Sequence, residues 1–357
     1  MAENGTDTTV AEEQREAAEA AGLRYGTDER PGLRRKRRGR GWSYHRPDGS
    51  LIRDEKEKER IRALAIPPAW TEVWIASDRR SHLQATGRDD RGRKQYRYHP
   101  IWDEVRDTVK FERLRAFGHA LPTVRDRVDE ALRQRSLSRE RVLAAVVALL
   151  EMTAIRVGND EYARENDTYG LTTIRRRHVV VEGDRIEFDF EAKGGKEAHV
   201  VVRDARLARV VDACRELPGY EVFKWVDEEG ERHDVKSRDV NEFLRDITGE
   251  PFTAKDFRTW LGTVQAFCHL CGCEEEGDEK ARAQQCVEAV DAVAERLRNT
   301  RAVARSAYIH PAVLDLHAEG ELRTRASGRS RESGLSPEEA GLLALLDDLA
   351  RKTGGGA

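Results

Sequence analysis

Cysteine is scarce and odd in number, five in 357 residues. That does not suggest a disulfide framework in a chain this long, and a soluble, reduced, cytoplasmic protein is expected. No segment approaches the roughly 20 apolar residues that cross a bilayer. The opening residues Met1-Ala2-Glu3-Asn4-Gly5 have no basic stretch followed by an apolar one, so no secretory leader is expected. There is no Gly-rich loop ending in Gly-Lys-Ser/Thr and no His-Glu-x-x-His, so neither ATP nor a catalytic metal is implied.

What is present is charge. Hydrophobic residues make up 38% of the chain and charged residues 36%, enough apolar content for real cores beneath a highly charged surface. The net charge of −3 averages unlike regions. Arg34-Arg35-Lys36-Arg37-Arg38-Gly39-Arg40 and the stretch Arg88–Arg97 are strongly basic, whereas acid collects at 12–19 and 274–279. Segregation of this kind suits a cationic face for a polyanion. The run at 34–40 reads as an arm adding non-specific affinity or as a flexible, solvated loop.

The length suggests two domains plus tails. Residues 1–22 are polar and Ala/Glu-rich, a solvated or fraying tail. Residues 23–100 read as a small β-rich domain, with strands at Val73–Ala76, Leu83–Thr86 and Gln95–Tyr98 between turn-forming clusters. From Ile101 the pattern turns helical. Val142, Val146, Leu149 and Leu150 mark a helix leading into Arg156, with Gly158 as its cap. Alternation over Val179–Val181, Ile186–Phe190 and Val200–Val202 predicts a small sheet, with Lys193-Gly194-Gly195-Lys196 as a hairpin turn. Thr253 and Asp256 form a capping pair ahead of a helix that carries Lys255 and Arg258 on one face. A short helix capped at Asn299 or Thr300 carries Tyr308. The helical domain is expected over 101–318, and residues 319–357 read as a linker and a last helix opened by Ser336-Pro337-Glu338. The fold class is α+β.

The chemistry converges on Tyr308. A phenol ionises near pH 10 and needs cationic company to attack phosphorus. Arg156 and Arg258 supply guanidinium forks for non-bridging phosphate oxygens, and Lys193 or Lys255 could protonate a leaving alkoxide. Arg93, Lys94, Gln95, Tyr96, Arg97 and Tyr98 interleave cations with aromatics, as a strand that contacts duplex DNA would, although ordinary strand residues look the same. Cys268-His269-Leu270-Cys271-Gly272-Cys273, with Cys286 beyond, lacks a second pair at zinc spacing and reads as reduced structural cysteines, so no metal site is expected.

Several ordered strings carry a family resemblance. Ala65-Ile66-Pro67-Pro68-Ala69-Trp70, Val73-Trp74-Ile75, Leu83-Gln84-Ala85-Thr86-Gly87 and Gly92-Arg93-Lys94-Gln95-Tyr96-Arg97-Tyr98-His99 resemble the N-terminal domain of type IB DNA topoisomerases of the poxvirus and bacterial kind. Ile155-Arg156-Val157-Gly158-Asn159, Tyr169-Gly170-Leu171-Thr172-Thr173, Lys255-Asp256-Phe257-Arg258-Thr259-Trp260 and Ser306-Ala307-Tyr308-Ile309-His310-Pro311 resemble the catalytic domain. The resemblance covers about residues 23–318. It implies a metal- and ATP-independent enzyme, without cofactor, that acts as a monomeric clamp around duplex DNA at the nucleoid. Tyr308 would form a 3′-phosphotyrosyl ester, Arg156 and Arg258 would stabilise the transition state, Lys193 would be the general acid and Lys255 would assist. Lys196 competes with Lys193 for the acid role. The family often has histidine nine residues before the tyrosine, and here Asn299 stands there, a donor without a full charge. A tyrosine recombinase shares this chemistry but commonly has His-x-x-Arg where this chain has Lys255-x-x-Arg258. A non-catalytic DNA-binding protein is the remaining alternative.

Overall fold

The computed structural model describes residues 15–160, 163–164, 167–273, 278–322 and 334–354. The chain divides into two compact units, Met1–Phe111 and Glu112–Ala357, so the break falls inside the long helix Pro100–Leu132 rather than at residue 100. Helices and antiparallel sheets are both present, the mixed class expected.

The first unit is built on a five-stranded antiparallel sheet: β1 (Leu33–Arg38), β2 (Gly41–His45), β3 (Thr71–Ile75), β4 (Leu83–Arg88) and β5 (Lys94–Tyr98), in the order β2-β1-β3-β4-β5. Period-two alternation sends Leu33, Val73, Ile75 and Ala85 to one face, where they pack on Ile52, Ile61 and Trp70. Helix α1 (Glu55–Ala63) supplies Ile61, and its N-cap Asp54 accepts from the Lys56 amide at 3.0 Å.

The basic run is neither an arm nor a flexible loop. Its residues 34–38 belong to β1, which pairs with β2 along that length and with β3 at Leu33 and Arg34, and residues 39–40 turn into β2. Composition hid this because the strand's second inward position is an arginine. Arg35 replaces apolar burial with hydrogen bonds: its guanidinium donates to the carbonyls of Ile66, Pro67 and Trp70, at 3.3, 3.0 and 2.6 Å, and lies 4.1 Å from the Trp42 ring.

Residues 15–22 do not fray as the composition suggests. Residues 15–20 are helical, and Ala18 is buried against Leu23 and Trp102; residues 1–14 lie outside the described residues.

Helix α2 (Pro100–Leu132), which contains the break, is followed in the second unit by α3 (Arg139–Thr153), capped by Ser138 and buried along most of its length. A three-stranded antiparallel sheet follows: β6 (Val179–Glu182), β7 (Arg185–Ala192) and β8 (Lys196–Arg203). Ile186, Phe188 and Phe190 face the core, as their alternation predicts. Helix α4 (Ala205–Glu216) and helix α5 (Ser237–Thr248), ended by Gly249 at φ 72°, lead to α6 (Ala254–Gly272). The Thr253 amide and hydroxyl both donate to Asp256, at 2.7 and 2.9 Å, so the predicted capping pair forms. Helices α7 (Glu279–Arg296), α8 (Arg301–Tyr308) and α9 (Pro311–Ala318) complete the site's surroundings.

The predicted linker falls largely on residues 323–333, outside the described residues. Helix α10 (Pro337–Gly354) is not peripheral: Leu342, Leu343, Leu345 and Leu346 are buried. Its Glu339 accepts from the Trp260 indole at 3.1 Å and pairs with Arg125 at 2.7 Å, and Arg125 also holds Glu151.

Candidate active site

Three elements meet at Tyr308. The first is the end of α3. The sequence pattern carries this helix on to Arg156 with a cap at Gly158, but it ends at Thr153, and Ala154 takes the left-handed conformation at φ 55°. The Thr153 hydroxyl returns to the Leu149 carbonyl and also accepts from the Ile155 amide. The buried Arg258 guanidinium draws the Ala154 carbonyl out of the helical run. Arg156 therefore sits on non-helical chain, from which its guanidinium reaches Asn299. Gly158 is needed for a different reason: at φ 111°, a Cβ there would also approach the Thr172 hydroxyl to 2.8 Å.

The second element is α6. Lys255 and Arg258 occupy neighbouring turns, but Lys255 is exposed and Arg258 is only 3% exposed. A buried guanidinium must be satisfied. Arg258 donates to the carbonyls of Ala154 and Leu297, the latter at 2.8 Å, while its Nε is buried without a protein partner. Its Cζ lies 5.0 Å from the centroid of the Tyr308 ring.

The third element is the α7–α8 connection, Leu297 to Thr300. Thr300 caps α8 through the Val303 amide at 3.3 Å. Asn299 Oδ1 accepts from Arg156 Nη2 at 2.5 Å. That bond orients the amide so that its Nδ2, buried and without a protein partner, is the available donor. Arg298, at φ 50°, lines a small cleft with Arg156, Arg258 and Tyr169. Sequence reasoning missed Arg298: nothing in its local pattern distinguishes it from the surface arginines around it.

The electrostatics follow from this crowding. Burial pushes the Tyr308 phenol up, but Arg258, by charge and hydrogen bond, together with Arg156 and Lys255 outweighs it, and the net shift is downward. Burial, and then repulsion from Arg258, lower the Arg156 guanidinium. The same two causes, in the same order, lower Arg298. Guanidiniums crowded together and partly buried in this way are poised for an anion.

Lys193 lies at the tip of the β7–β8 hairpin, as expected, in the turn Lys193-Gly194-Gly195. Lys196 closes the ladder opposite Ala192, and its ammonium donates to the Asn299 carbonyl at 2.9 Å.

The six residues of the expected DNA-contacting strand belong to the other unit and do not form one surface. Lys94, Tyr96 and Tyr98 share one face of β5: Tyr96 stacks on Tyr98 at 6.0 Å, and Lys94 pairs with Asp28 at 2.7 Å. Gln95 and Arg97 point the other way; Gln95 donates to Asp89 at 2.9 Å and Arg97 to the Ala65 carbonyl at 3.1 Å. Arg93 precedes the strand and pairs with Asp89 at 2.7 Å. Strand alternation dictates the division.

Cys268 and Cys271 lie on α6, and all five cysteines are free thiols. Cys273 donates to the His269 carbonyl. Among the described residues, no group of three or more His, Cys, Asp or Glu is placed to hold a metal ion. Nor is any helix among them long and apolar enough to cross a membrane.

A phenol acidified by guanidiniums, with a lysine-bearing turn nearby, has the parts of a phosphoryl-transfer site that works through tyrosine. Comparison with known proteins makes the assignment specific. Residues 95–324 match the profile of the eukaryotic DNA topoisomerase I catalytic core, and residues 41–89 that of the bacterial DNA topoisomerase IB N-terminal domain. The chain is 30% identical to DNA topoisomerase 1B of Acanthamoeba polyphaga mimivirus over 293 residues, 80% of this chain and 87% of the viral protein. It is 25% identical to DNA topoisomerase 1B of vaccinia virus over 160 residues, 43% of this chain and 51% of that protein. The chain belongs to the type IB DNA topoisomerase family and is an isomerase acting on DNA.

Proposed function

We propose that Tyr308 is the nucleophile that nicks one strand of duplex DNA. Its oxygen attacks the scissile phosphorus, the bond from phosphorus to the 5′-oxygen breaks, and a 3′-phosphotyrosyl ester forms. Lys193 delivers the proton that the departing 5′-oxygen takes up, and Lys255 assists from the exposed side of α6. Arg156, Arg258 and the Nδ2 of Asn299 hold the non-bridging oxygens as charge builds on them. The ester conserves the energy of the cleaved bond, so the freed 5′-hydroxyl reseals the strand by the reverse attack after the duplex has swivelled. Torsion in the substrate drives the change, and supercoils of both signs are relaxed without ATP or metal.

The N-terminal unit, from residue 23, serves as a DNA clamp in a monomeric enzyme, with Lys94, Tyr96 and Tyr98 toward the duplex. Arg93, Gln95 and Arg97 shape the same edge through Asp89 and the Ala65 carbonyl. A bacterial, cytoplasmic and nucleoid-associated setting belongs to the same proposal and agrees with the bacterial-type N-terminal profile.

One observation carries the catalytic reading: Arg258 is held by two backbone carbonyls within reach of the Tyr308 ring, so its fork is fixed before any substrate arrives. The test is relaxation of a supercoiled plasmid in EDTA without ATP by the wild type and by Tyr308→Phe. The wild type should relax it. The variant should bind DNA with similar affinity, since phosphate contacts spread over the surface dominate binding, yet leave supercoiling unchanged. A covalent protein–DNA adduct trapped with the Phe variant would remove Tyr308 from the role. Site-specific strand exchange would favour the recombinase.

A further inference from the structure

The general-acid role falls on a side chain in a weakly packed turn. Gly194 and Gly195 lie at φ 87° and 73°, and a Cβ added at Gly194 would meet nothing within 4 Å. Proton transfer to a leaving oxygen requires hydrogen-bond geometry, and a misplacement of about 1 Å can cost about 10²-fold in rate. Where the hairpin is anchored therefore bears on where Lys193 sits.

The last rung of the hairpin is pinned from both sides. On the β7 side, the Tyr169 amide donates to the Glu191 carbonyl at 2.8 Å, and Tyr169 bridges Ala192 in parallel. On the β8 side, Lys196, the partner of Ala192 in that rung, donates its ammonium to the Asn299 carbonyl at 2.9 Å. Lys193 is the residue immediately after the pinned rung. Asn299 in turn accepts from Arg156, and Arg258 holds the Leu297 carbonyl two residues before it. The hairpin is thus tied to the same short connection that aligns both arginines.

We propose that Lys196 is a positioning residue for the cleavage reaction. Its ammonium docks the β7–β8 hairpin on the Asn299 connection and so sets where Lys193 meets the leaving 5′-oxygen. This assignment rests on the reading of Lys193 as general acid. It also explains the presence of a second lysine in the turn: the two lie on opposite sides of Gly194-Gly195, one bound to backbone and the other carrying the proton.

The experiment is single-turnover cleavage by the full chain on two duplexes, one ordinary and one with sulfur replacing the bridging 5′-oxygen at the scissile bond. A thiolate leaves without a proton, so only defects in proton delivery are relieved on the second duplex. Lys196→Met should slow cleavage of ordinary DNA by about 10- to 10²-fold, and sulfur should remove most of that defect. Lys196→Arg, which retains a cationic donor, should stay near the wild-type rate. Lys193→Ala/Lys196→Met should be no slower than Lys193→Ala alone, because an anchor has no effect once its cargo is gone.

Normal cleavage of ordinary DNA by Lys196→Met would overturn the proposal. So would a defect that persists on the sulfur duplex, or additive losses in the double variant. Normal cleavage by Lys193→Ala would remove the general-acid reading itself. Combined with sulfur rescue of Lys196→Met, that result would make Lys196 the acid rather than the anchor.

Discussion

Arg156 donates to the side-chain oxygen of Asn299 at 2.5 Å across 143 residues of chain. The bond uses the amide's acceptor and leaves its donor, Nδ2, buried without a protein partner. A buried donor left without a partner costs about 1–3 kcal/mol, so Nδ2 is a ready donor to a phosphate oxygen.

Asn299→Asp should therefore slow cleavage more than Asn299→Ala. Aspartate keeps an acceptor for Arg156 but places negative charge where charge develops at phosphorus. Alanine removes one donor, a loss of about 10²–10³-fold by analogy with single preorganised donors. Single-turnover cleavage of a duplex orders the two variants. An aspartate variant faster than the alanine variant would show that the amide faces away from the phosphate.

Arg258→Lys should fail to restore what Arg258→Ala loses. The guanidinium spans the Ala154 and Leu297 carbonyls while it faces Tyr308, and an ammonium on a flexible stem cannot span the same points. Both variants should cleave at least about 10²-fold more slowly than wild type. They should also unfold at lower temperature, because buried carbonyls lose their donor. Arg156→Ala should show a comparable loss in cleavage rate. Near-normal relaxation by any of the three would contradict the assignment.

Gly262→Ala should act on catalysis through the Tyr308 backbone and through the Leu297 side chain, whose Cδ1 would lie 3.2 Å from the new Cβ. Gly262 lies one turn beyond Arg258 on α6, and a Cβ there would come to 2.6 Å from the Tyr308 carbonyl oxygen and 3.2 Å from its Cβ. A single methyl group must push α8 away from α6 and pull the phenol off the guanidinium. Cleavage should fall by about 10-fold or more, since sub-ångström positions matter for attack, while DNA affinity stays unchanged. An unaltered cleavage rate would mean that α8 gives way without moving the nucleophile.

The phenol should titrate below its ordinary value of 10.0. Burial opposes ionisation, and Arg258, with Arg156 and Lys255, more than offsets it. The folded value is thus depressed relative to the unfolded chain. The linked stability is fully present above pH ~10 and is lost as pH falls through the folded value. Cleavage should rise with pH through the same window and level off above it. An ultraviolet difference titration of wild type against Tyr308→Phe measures the value directly, and Arg258→Gln should move it upward. A phenol that titrates at or above 10 in the wild type would refute this account.

Elements with local signals were legible in the sequence. The Thr253–Asp256 cap, the alternation through Ile186, Phe188 and Phe190 and the turn at 193–195 each depend on residues a few positions apart, and each forms. Local patterns failed where a distant group changed the outcome. Helix α3 stops before Arg156 because Arg258, 104 residues away, takes the Ala154 carbonyl. The basic run forms β1 because carbonyls about thirty residues away satisfy Arg35.

The sequence by itself determined which side chains are on hand for the proposed chemistry: Tyr308, Arg156, Arg258, Lys193, Lys255 and Asn299 stand in strings that resemble those of enzymes working through tyrosine. Only the tertiary structure decided how they are deployed. It buried Arg258 while leaving Lys255, three residues away, exposed. It split β5 into two faces, and it gave Lys196 to the Asn299 carbonyl. The physical reason is that residue type sets what a group can donate, accept or ionise, whereas its partner and its dielectric surroundings are set by chain segments far away in sequence.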